Sequence, residues 1–450
     1  MKDSAKPATR LIITKGSFDA ILAVCTGASL GGKTQALDTP LRAKLKALLD
    51  KNGAEGFRVL ALATGEVAVK SDYDIKDESD LILIGFLLFA DPPKVETKQS
   101  IEDLLSLGIR VKMITGDNQQ IAIHVAKAVG LNSDQILTGL HIAQMSDDAL
   151  SNMASKTDIF AEIDPQQKER IIRALQKHGH AVGYLGDGIN DAPALQAADV
   201  GISVDQAVDV ARQSADIVLL KRDLGVLKLG VESGRRTFAN TLKYIAITTS
   251  ANFGNMVSMA LATPFLPFLP LVAKQILLNN FLSELPYIAI STDNVDVKQA
   301  GRPERWDVHE VRRFMIVFGL VSSVFDALIF FILLKFYHAS EAEFQTVWFV
   351  VSLLTEIAVV FSLRTRVLFF RSRPSLPLVA VSAVVAVVAV AIPYTGALTR
   401  ALGFVPIPMP VMAALSAVVL AYVCANEVAK HWFYKTHSDR SSDASLNSET

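Results

Sequence analysis

The sequence predicts an α/β domain followed by an all-α six-helix transmembrane bundle, and two patterns carry that prediction. Up to about Arg236, short apolar runs alternate with amphipathic helix patterns, which is typical of a parallel sheet covered by helices. After that residue, long apolar runs approach the length that a bilayer helix needs. The formal net charge of the 450 residues is −1, so no overall basic field indicates nucleic-acid binding.

Residues 1–80 read as a small α+β piece. Short strands are predicted at Arg10–Thr14 and Arg58–Ala63, with an amphipathic helix over Leu41–Leu49 between them. The two cysteines, Cys25 and Cys424, lie in different halves of the chain, so the sequence predicts no disulfide framework.

Residues 81–236 repeat strand and helix. The predicted strands of this part are Leu81–Phe89, Ile109–Ile114, Asp158–Ala161, Ala181–Leu185, Val200–Val204 and Asp216–Leu220. The most informative segment is the loop Gly186–Asp191, with the sequence GDGIND, between a strand and a helix pattern over Ala192–Ala198. Asp187 and Asp191 supply two hard oxygen ligands of the kind that Mg²⁺ prefers. A turn rich in Gly, Asp and Asn is the simpler alternative.

Two further segments indicate phosphate chemistry. Thr115, Gly116 and Asp117 follow one predicted strand and open a helix, whose free amides can hold a phosphoryl group. A capping turn is the alternative there. Lys168 lies in the helix pattern that follows Ala161; on its own it reads as a surface lysine.

These motifs resemble those of P-type ATPases, the cation pumps whose phosphorylation domain belongs to the haloacid dehalogenase superfamily. GDGINDAPAL looks like the hinge motif of that family, and Asp91 begins a segment similar to its DPP motif. Lys15, Gly16 and Ser17 resemble the KGA element of the nucleotide-binding domain, and Phe57–Ala61 resembles its last arginine-bearing strand.

The resemblance implies a role for each matching residue. Lys15, Gly16 and Arg58 would lie near bound ATP, and Asp187 and Asp191 would hold Mg²⁺ at the phosphoryl site. The catalytic set would be Thr115, Gly116, Asp117, Lys168 and Asn190. The implied domains are a partial nucleotide-binding domain (1–80), a phosphorylation domain (81–236), a transmembrane domain (237–434) and a disordered tail (435–450).

The family's phosphorylated aspartate lies in a DKTGT motif, and the 450 residues contain no such run. We therefore expect the C-terminal portion of a pump, inactive without the missing N-terminal half. A membrane-anchored phosphatase using Asp72 or Asp74 and a non-catalytic regulator of a pump are the alternatives. An acidic solvated loop is the simpler interpretation of the Asp72–Asp74 segment.

Six membrane spans are predicted after residue 236. They are Leu242–Ala262, Leu266–Ile290, Phe314–Phe336, Val347–Leu363, Leu376–Ile392 and Pro408–Cys424. Basic residues concentrate in alternate loops, and this pattern predicts that residues 1–236 and the C-terminus are cytoplasmic. The membrane is expected to be the plasma or inner membrane of the cell. The basic residues are Lys298, Arg302, Arg305, Arg312 and Arg313 in one loop and Arg364, Arg366, Arg371 and Arg373 in the other.

Polar residues inside the first two spans predict an ion site. Asn252 and Asn280 lie ten residues from the cytoplasmic ends of their spans, about 15 Å deep at 1.5 Å per residue. Asn255 and Glu284 lie on the same helix faces as these two amides. Such an all-oxygen set suits a hard divalent cation, although interhelical hydrogen bonding is the alternative. Asp326 and Glu356, in later spans, are weaker candidates.

The cation is predicted from resemblance alone. Segments 250–255, 292–296 and 302–306 look most like magnesium-translocating P-type ATPases, although Glu284 stands where an Asp is expected in that branch. The partners implied are ATP, Mg²⁺, the lipid bilayer and the missing N-terminal half.

Overall fold

The computed structural model describes residues 9–221, 223–296, 301, 303–304 and 306–446, with side chains up to residue 435. The chain divides into two compact units between Leu229 and Gly230. The first unit is α/β and the second is helical, which confirms the predicted fold class.

A mixed five-stranded sheet opens the first unit. Its strands are β1 (Thr9–Gly16), β2 (Cys25–Leu30), β3 (Lys33–Ala36), β4 (Phe57–Ala68) and β5 (Leu81–Ala90). Their order is β1-β4-β5-β2-β3, and β2 and β5 form its parallel pair. Helices α1 (Phe18–Val24) and α2 (Thr39–Ala54) pack Ile21 and Leu45 into the core of this sheet.

Strand β5 corrects one prediction. We assigned Leu81–Phe89 to the repeating strand–helix part, but β5 pairs with β4 over almost its whole length, from Phe57 opposite Ala90 to Thr64 opposite Ile82. A boundary at residue 80 would cut this sheet. The apolar run LILIGFLLFA suits a central strand of either sheet, so the sequence alone did not distinguish them.

The rest of the first unit is built on two parallel sheets of three strands each. The strands are β6 (Met113–Ile114), β7 (Ile136–Thr138), β8 (Ile159–Ala161), β9 (Gly183–Leu185), β10 (Val200–Val204) and β11 (Ile217–Leu219). The orders are β6-β8-β7 and β11-β10-β9. A single parallel sheet was predicted, but within the described residues β6 and β9 are each edge strands. Ile114 and Val182 pack against the cores of both sheets.

Helices separate the strands of this part, as predicted. They are α3 (Glu96–Ser106), α4 (Gln119–Val129), α5 (Gly139–Gln144), α6 (Asp147–Lys156), α7 (Pro165–Lys177), α8 (Ala192–Ala197) and α9 (Asp209–Ser214). Most begin at a side-chain cap: Asn118 accepts from the Ile121 amide, and Asp164 accepts from the Gln167 amide. The Asp164 cap fixes the start of the helix that carries Lys168.

The second unit is a bundle of long helices. They are α10 (Gly225–Ala262), α11 (Ala273–Ala289), α12 (Val308–Lys335), α13 (Glu341–Leu363), α14 (Leu376–Ala391), α15 (Ala397–Leu402) and α16 (Met409–Leu446). Helix α13 is central, because Trp348, Phe349 and most of its other side chains are buried. Two helices touch through glycine backbones: a Cβ on Gly254 of α10 would lie 3.0 Å from the Gly319 oxygen of α12.

Four of the six predicted spans are long and apolar enough to cross a membrane. They are Val308–Lys335, Glu341–Leu363, Leu376–Tyr394 and Met409–Lys435. The chain is therefore a membrane protein. The other two predicted spans, Leu242–Ala262 and Leu266–Ile290, are largely helical. Among the described residues, neither is both long and apolar enough to cross a membrane. Helix α10 carries many Thr, Ser and Asn residues, and α11 begins only at Ala273, because the preceding proline-rich stretch cannot be helical.

Several predicted features fall at the edges of what is described. Lys298, Arg302 and Arg305 lie outside the described residues, and so does part of the 302–306 segment. Arg364 is fully buried and pairs with Asp293, so it is not a free loop charge. Helix α16 continues beyond residue 434 into the segment predicted to be a disordered tail, and 447–450 lie outside the description.

Candidate active site and membrane polar site

The loop that follows β9 is folded around the Asp191 carboxylate. Its Oδ1 accepts from Lys168 Nζ and from the Tyr184 hydroxyl, each at 2.7 Å. Its Oδ2 accepts from the backbone N–H groups of Asp187 at 3.2 Å and Gly188 at 3.1 Å. Asp191 is 8% exposed, so these four donors replace water around a buried charge.

This arrangement revises the predicted metal pair. Both carboxylate oxygens of Asp191 already accept hydrogen bonds, and the carboxylate is paired with Lys168, whose side chain is only 15% exposed. A metal ion at Asp191 would have to displace that lysine. Asp187 and Asn190 are exposed on the same loop and present the oxygen ligands that Mg²⁺ prefers. The donor set therefore fits Mg²⁺ at Asp187, with Asp191 holding the loop and the lysine.

The charges of this site are set by burial and by its hydrogen bonds. Burial acts to raise the pKa of the Asp191 carboxyl, but the bonds from Lys168, Tyr184 and the Gly188 amide together lower it. Burial, and then the bond to Asp191, raise the pKa of the Tyr184 hydroxyl. Asp191 is therefore an anion and Tyr184 a neutral donor at neutral pH.

Gly186 is required by the close packing of the loop. A Cβ at this position would lie 2.6 Å from the Cβ of Asp191. The Gly186 carbonyl also accepts from the buried Ser203 hydroxyl at 2.8 Å, and the Gly186 amide donates to Ile202. Any side chain at Gly186 would push Asp191 away from Lys168.

The loop after β6 carries Thr115, Gly116 and Asp117 and leads into the predicted helix, although these three residues lie before its N-cap. Helix α4 begins at Gln119, with Asn118 as its N-cap. The Thr115 hydroxyl donates to Asp117 Oδ2 at 3.1 Å, and the Asp117 amide donates back to that hydroxyl at 3.1 Å. The three residues form a closed turn that would have to open for Thr115 to hold a phosphoryl group.

Backbone hydrogen bonds join this turn to the segment that leads to Lys168. The Glu162 amide donates to the Asp117 carbonyl at 2.9 Å, and the Ile163 amide donates to the Thr115 carbonyl at 3.1 Å. Glu162 has a φ of 58°, a strained conformation for a non-glycine residue that often marks a functional site. The Thr115 turn is therefore bonded to the segment that leads into α7, the helix that carries Lys168.

Arg58 reaches the same turn from the mixed sheet. Its guanidinium forms a salt bridge with Asp117. Lys15 pairs with Leu62 across β1 and β4, four residues from Arg58, so Lys15 and Arg58 lie on one face of the sheet. Gly16 pairs with Ala61 beside them. In the described part of the chain, no hydrogen bond or ion pair joins Lys15 to Asp191 or Lys168.

The alternative acidic candidates are ordinary surface groups. Asp74 caps a short turn, because its carboxylate accepts from the Lys76 amide at 2.9 Å. Asp72 is exposed nearby, and Asp91 is exposed just after β5. These contacts favour the interpretation of the Asp72–Asp74 segment as a solvated loop.

Comparison with known proteins identifies the family. Residues 21–199 match the haloacid dehalogenase-like hydrolase model, and residues 268–432 match the model of the cation transporting ATPase C-terminus. The magnesium-transporting ATPase, P-type 1, of Escherichia coli strain K12 is 43% identical over 432 residues, which are 95% of this chain and 48% of that protein. The chain belongs to the P-type cation-transporting ATPases.

Other members of the family show the same coverage. A magnesium-transporting ATPase, P-type 1, of Salmonella typhimurium strain LT2 is 38% identical over 96% of this chain and 48% of its own length. Calcium-transporting ATPase 1 of Bacillus cereus is 31% identical over 79% of this chain and 42% of its own length. The chain thus spans about half the length of the P-type ATPases that it matches.

In the membrane unit, no hydrogen bond among the described residues joins any two of the four predicted ion ligands. Asn252 and Asn280 are exposed. Asn255 Nδ2 instead donates to Glu356 at 2.6 Å, and Glu284 accepts from the Tyr244 hydroxyl at 2.8 Å. The residue that joins Asn255 at Glu356 is Asn279, the neighbour of the predicted Asn280.

Sequence reasoning missed Tyr184 and Asn279. Tyr184 carries the polar atom of an otherwise apolar strand next to the GDGIND loop, and this was an available signal. Asn279 is adjacent to Asn280, but one residue turns a helix by about 100°, so the two point to different neighbours. Depth along the helix was predicted, but its rotation was not.

Proposed function

We propose that this chain is the C-terminal portion of an ATP-driven cation pump and that Mg²⁺ is the transported cation. The observation that carries the proposal is the buried Lys168–Asp191 pair. Its lysine lies on the helix that follows the segment bonded to the Thr115 turn, in a chain that also carries apolar membrane helices. The names of the most similar relatives support Mg²⁺ as the cargo.

Each residue of the site has a proposed task. Lys168 neutralises phosphoryl oxygens, and Asp191 holds it there together with Tyr184. Asp187 would bind the Mg²⁺ that accompanies a phosphate, which supplies charge neutralisation when bound, and Asn190 lies beside it. Thr115, Gly116 and Asp117 would receive the phosphoryl group once their turn opens.

ATP would bind on the face of the mixed sheet that presents Lys15 and Arg58. Arg58 contacts Asp117 in this structure, so a nucleotide phosphate would compete with that carboxylate for the guanidinium. Gly16, the next residue of β1, faces the opposite side of the sheet, where a Cβ would lie 3.3 Å from the Ile21 side chain. The same arginine would then serve both the nucleotide and the phosphoryl turn.

The first experiment asks whether the chain needs a supplied nucleophile. Covalent phosphoryl transfer requires a nucleophile, and these residues contain no DKTGT motif. With radiolabelled ATP, we expect no label on the purified chain. Hydroxylamine-sensitive label on it would contradict this and would point to Asp72 or Asp74.

The second experiment supplies the motif on a separate polypeptide. Co-expression with the N-terminal part of the 43% identical relative should yield Mg²⁺-stimulated ATP hydrolysis. Lys168→Met should abolish that hydrolysis, whereas Lys177→Met, on the exposed side of the same helix, should retain it. Equal activity in the two variants would remove Lys168 from the mechanism.

The metal assignment has its own test. Titration calorimetry should show weaker Mg²⁺ binding for Asp187→Asn than for the parent chain. Asp209→Asn, which changes an exposed aspartate paired with Arg212, is the matched control. Identical heats for the parent and Asp187→Asn would mean that the loop is only a turn.

The transported cation is proposed to pass Asn252, Asn255, Asn280 and Glu284. In the co-expressed pump, Glu284→Gln should lower cation-stimulated hydrolysis while membrane insertion is kept. Asn280→Ala should raise the Mg²⁺ concentration that gives half-activation. Parental activation curves for both variants would place the ion path elsewhere.

A further inference from the structure

One end of the membrane unit contains a cavity that the proposed pump mechanism does not use. Its volume is about 230 Å³, and it is lined by α10, the end of α13, the start of α12 and one residue of α16. The lining combines apolar side chains with three acids and three bases, which are Glu304, Asp307, Glu310, Lys243, Arg364 and Arg366. A cavity that is both charged and apolar suits an amphipathic ligand.

The cavity lies at the level where the membrane spans end. Asp307 immediately precedes the span of α12, and Arg364 immediately follows the span of α13. Tyr434 is the second-last residue of the span of α16. Because a bilayer places its polar headgroups at the ends of its spanning helices, the cavity lies at headgroup depth.

The chain next to the cavity has the composition of a membrane-surface segment. Residues 367–370, with the sequence VLFF, have exposed side chains and lie between Arg366 and Arg371. Trp306, beside the start of α12, and Trp432, near the end of the span of α16, are exposed as well. Exposed aromatic residues beside arginines are typical of the boundary between lipid and water. This composition indicates that lipid headgroups lie next to the cavity.

The lining changes from polar to apolar in the same direction on three helices. Val311 and Phe314 lie deeper along α12 than its two acids, and Leu363 lies one residue deeper on α13 than Arg364. On α10, Ala246 and Ile247 follow Lys243. A ligand that matches this order has a charged end at the helix ends and an apolar end toward the middle of the bundle.

The bases of the cavity are positioned before any ligand arrives. Lys243 and Arg364 share one carboxylate, that of Asp293, at 3.2 and 3.1 Å. Arg366 donates to Glu304 at 2.9 Å, and its guanidinium lies 5.4 Å from the centre of the Tyr434 ring. The Arg366 side chain is 47% exposed, so it is the base that a ligand can reach most easily.

Two acids of the cavity have capacity for a further donor. Asp307 caps α12 through Oδ1, which accepts from the His309 amide at 2.8 Å and from the Glu310 amide at 3.4 Å. Among the described residues, Asp307 Oδ2 accepts no hydrogen bond, and the Glu310 carboxylate has neither a hydrogen bond nor an ion pair. These oxygens can accept from an ammonium group, whereas a purely anionic ligand would be repelled by them.

We propose that this cavity binds the headgroup of a membrane phospholipid that carries both a phosphate and a primary ammonium, as phosphatidylethanolamine does. The ammonium pairs with Asp307 and Glu310, and the phosphate pairs with Arg366 and Lys243. The lipid would hold α10, α12 and the end of α13 together at one end of the bundle. Binding does not depend on ATP hydrolysis, so its test is independent of the proposed function.

The test is native mass spectrometry of the purified 450-residue chain in detergent, with one lipid added at a time. Phosphatidylcholine has no N–H with which to donate to the acids, and phosphatidylglycerol has no ammonium. We expect one phosphatidylethanolamine per chain, bound about tenfold more tightly than either of the other lipids, which is the value of one charge-assisted hydrogen bond.

Two variants with matched controls test the charged groups. Asp307→Asn keeps a side chain that can cap α12 but removes its charge, and Arg366→Gln removes the contact to phosphate. Each should weaken phosphatidylethanolamine binding about tenfold. Glu343→Gln, in the capping box at the other end of α13, and Arg371→Gln, an exposed arginine close in sequence to Arg366, should leave it unchanged.

A third variant tests the cavity without changing its charges. Ala246→Leu places an apolar side chain in the cavity and should abolish retention of the lipid. It also replaces either charge variant that fails to fold, and circular dichroism reports the helical content of each protein.

Three results would overturn the proposal. The first is equal binding of the three lipids, and the second is phosphatidylethanolamine binding that survives Ala246→Leu. The third is displacement of the lipid by an equal concentration of water-soluble glycerophosphoethanolamine, which would make the ligand a free solute. None of these results would bear on phosphoenzyme formation at the first unit.

Discussion

Asp191 in the first unit and Glu356 in the second are both buried carboxylates that accept four hydrogen bonds. Asp191 has a lysine among its donors, whereas all the donors of Glu356 are neutral. The Asp191 site is therefore balanced in charge before any ligand arrives. The Glu356 site has the same number of donors, but none of them could balance the charge of an ionised carboxylate. The number of hydrogen bonds alone does not show whether a buried acid is structural or ligand-binding.

The largest expected effect comes from removing the cation of the balanced site. Lys168→Met leaves Asp191 buried without its partner, which should lower the free energy of unfolding of the first unit by about 3 kcal/mol. Lys177→Met removes a solvent-exposed pair with Asp148 and should leave that free energy nearly unchanged. Hydrogen exchange of the first unit is the measurement, because all three tryptophans lie in the second unit. Equal losses of stability for Lys168→Met and Lys177→Met would mean that Asp191 does not need Lys168 to balance a buried charge.

A steric change at the same carboxylate should have the next largest effect. Gly186→Ala places a Cβ 2.6 Å from that of Asp191 and should destabilise the first unit by about 2 kcal/mol. Gly85→Ala, where a Cβ would meet nothing within 4 Å, is the control. If Gly186→Ala and its control show the same hydrogen exchange, the loop can shift to accommodate the added methyl group.

Removing one neutral donor should cost less. Tyr184→Phe deletes a hydrogen bond to a charged acceptor and should destabilise the unit by about 1.5 kcal/mol. Tyr73→Phe changes an exposed tyrosine whose hydroxyl donates to the Ala68 carbonyl and should have little effect. The same exchange experiment measures both. A loss for Tyr184→Phe as large as that for Lys168→Met would show that the lysine is no more important than the tyrosine.

The smallest effect on stability is expected at Arg58. Its side chain is 64% exposed, so Arg58→Ala should change the free energy of unfolding by less than about 1 kcal/mol. ATP affinity should nevertheless fall about tenfold, the value of one charge-assisted hydrogen bond. Arg10→Ala, on the edge strand of the same sheet, is the control in equilibrium ATP binding. Unchanged ATP affinity for Arg58→Ala would leave this arginine as a partner of Asp117 alone.

Much of the first unit could be predicted from local sequence. The strand–loop–helix order around GDGIND follows from apolar runs and turn residues, whereas Lys168 and Arg58 were singled out by the family resemblance. Two features could not be predicted in this way. The sheet to which Leu81–Ala90 belongs depends on distant pairing partners, and the four donors at Asp191 depend on how a short turn directs its side chain.

The membrane unit shows a different limit. Helix positions follow from apolar length, and the depth of Asn252, Asn255, Asn280 and Glu284 follows from counting residues. The rotation of each helix depends on packing with its neighbours, and counting gives no information on it. For that reason Glu356, ranked below Glu284 from the sequence, proves to be the more enclosed acid.

Backbone contact at Gly254 and Gly319 makes the crossing of α10 and α12 a pivot. The Ser323 hydroxyl also donates to the Gly254 carbonyl at 3.1 Å, so the two helices cannot slide at this point without losing that bond. Asn255 is the next residue, so a tilt of α10 about this crossing would displace it very little. Residues far along α10 would be displaced much more. Tilting of α10 would thus turn a large displacement at its ends into a small reorientation of the amide that contacts Glu356.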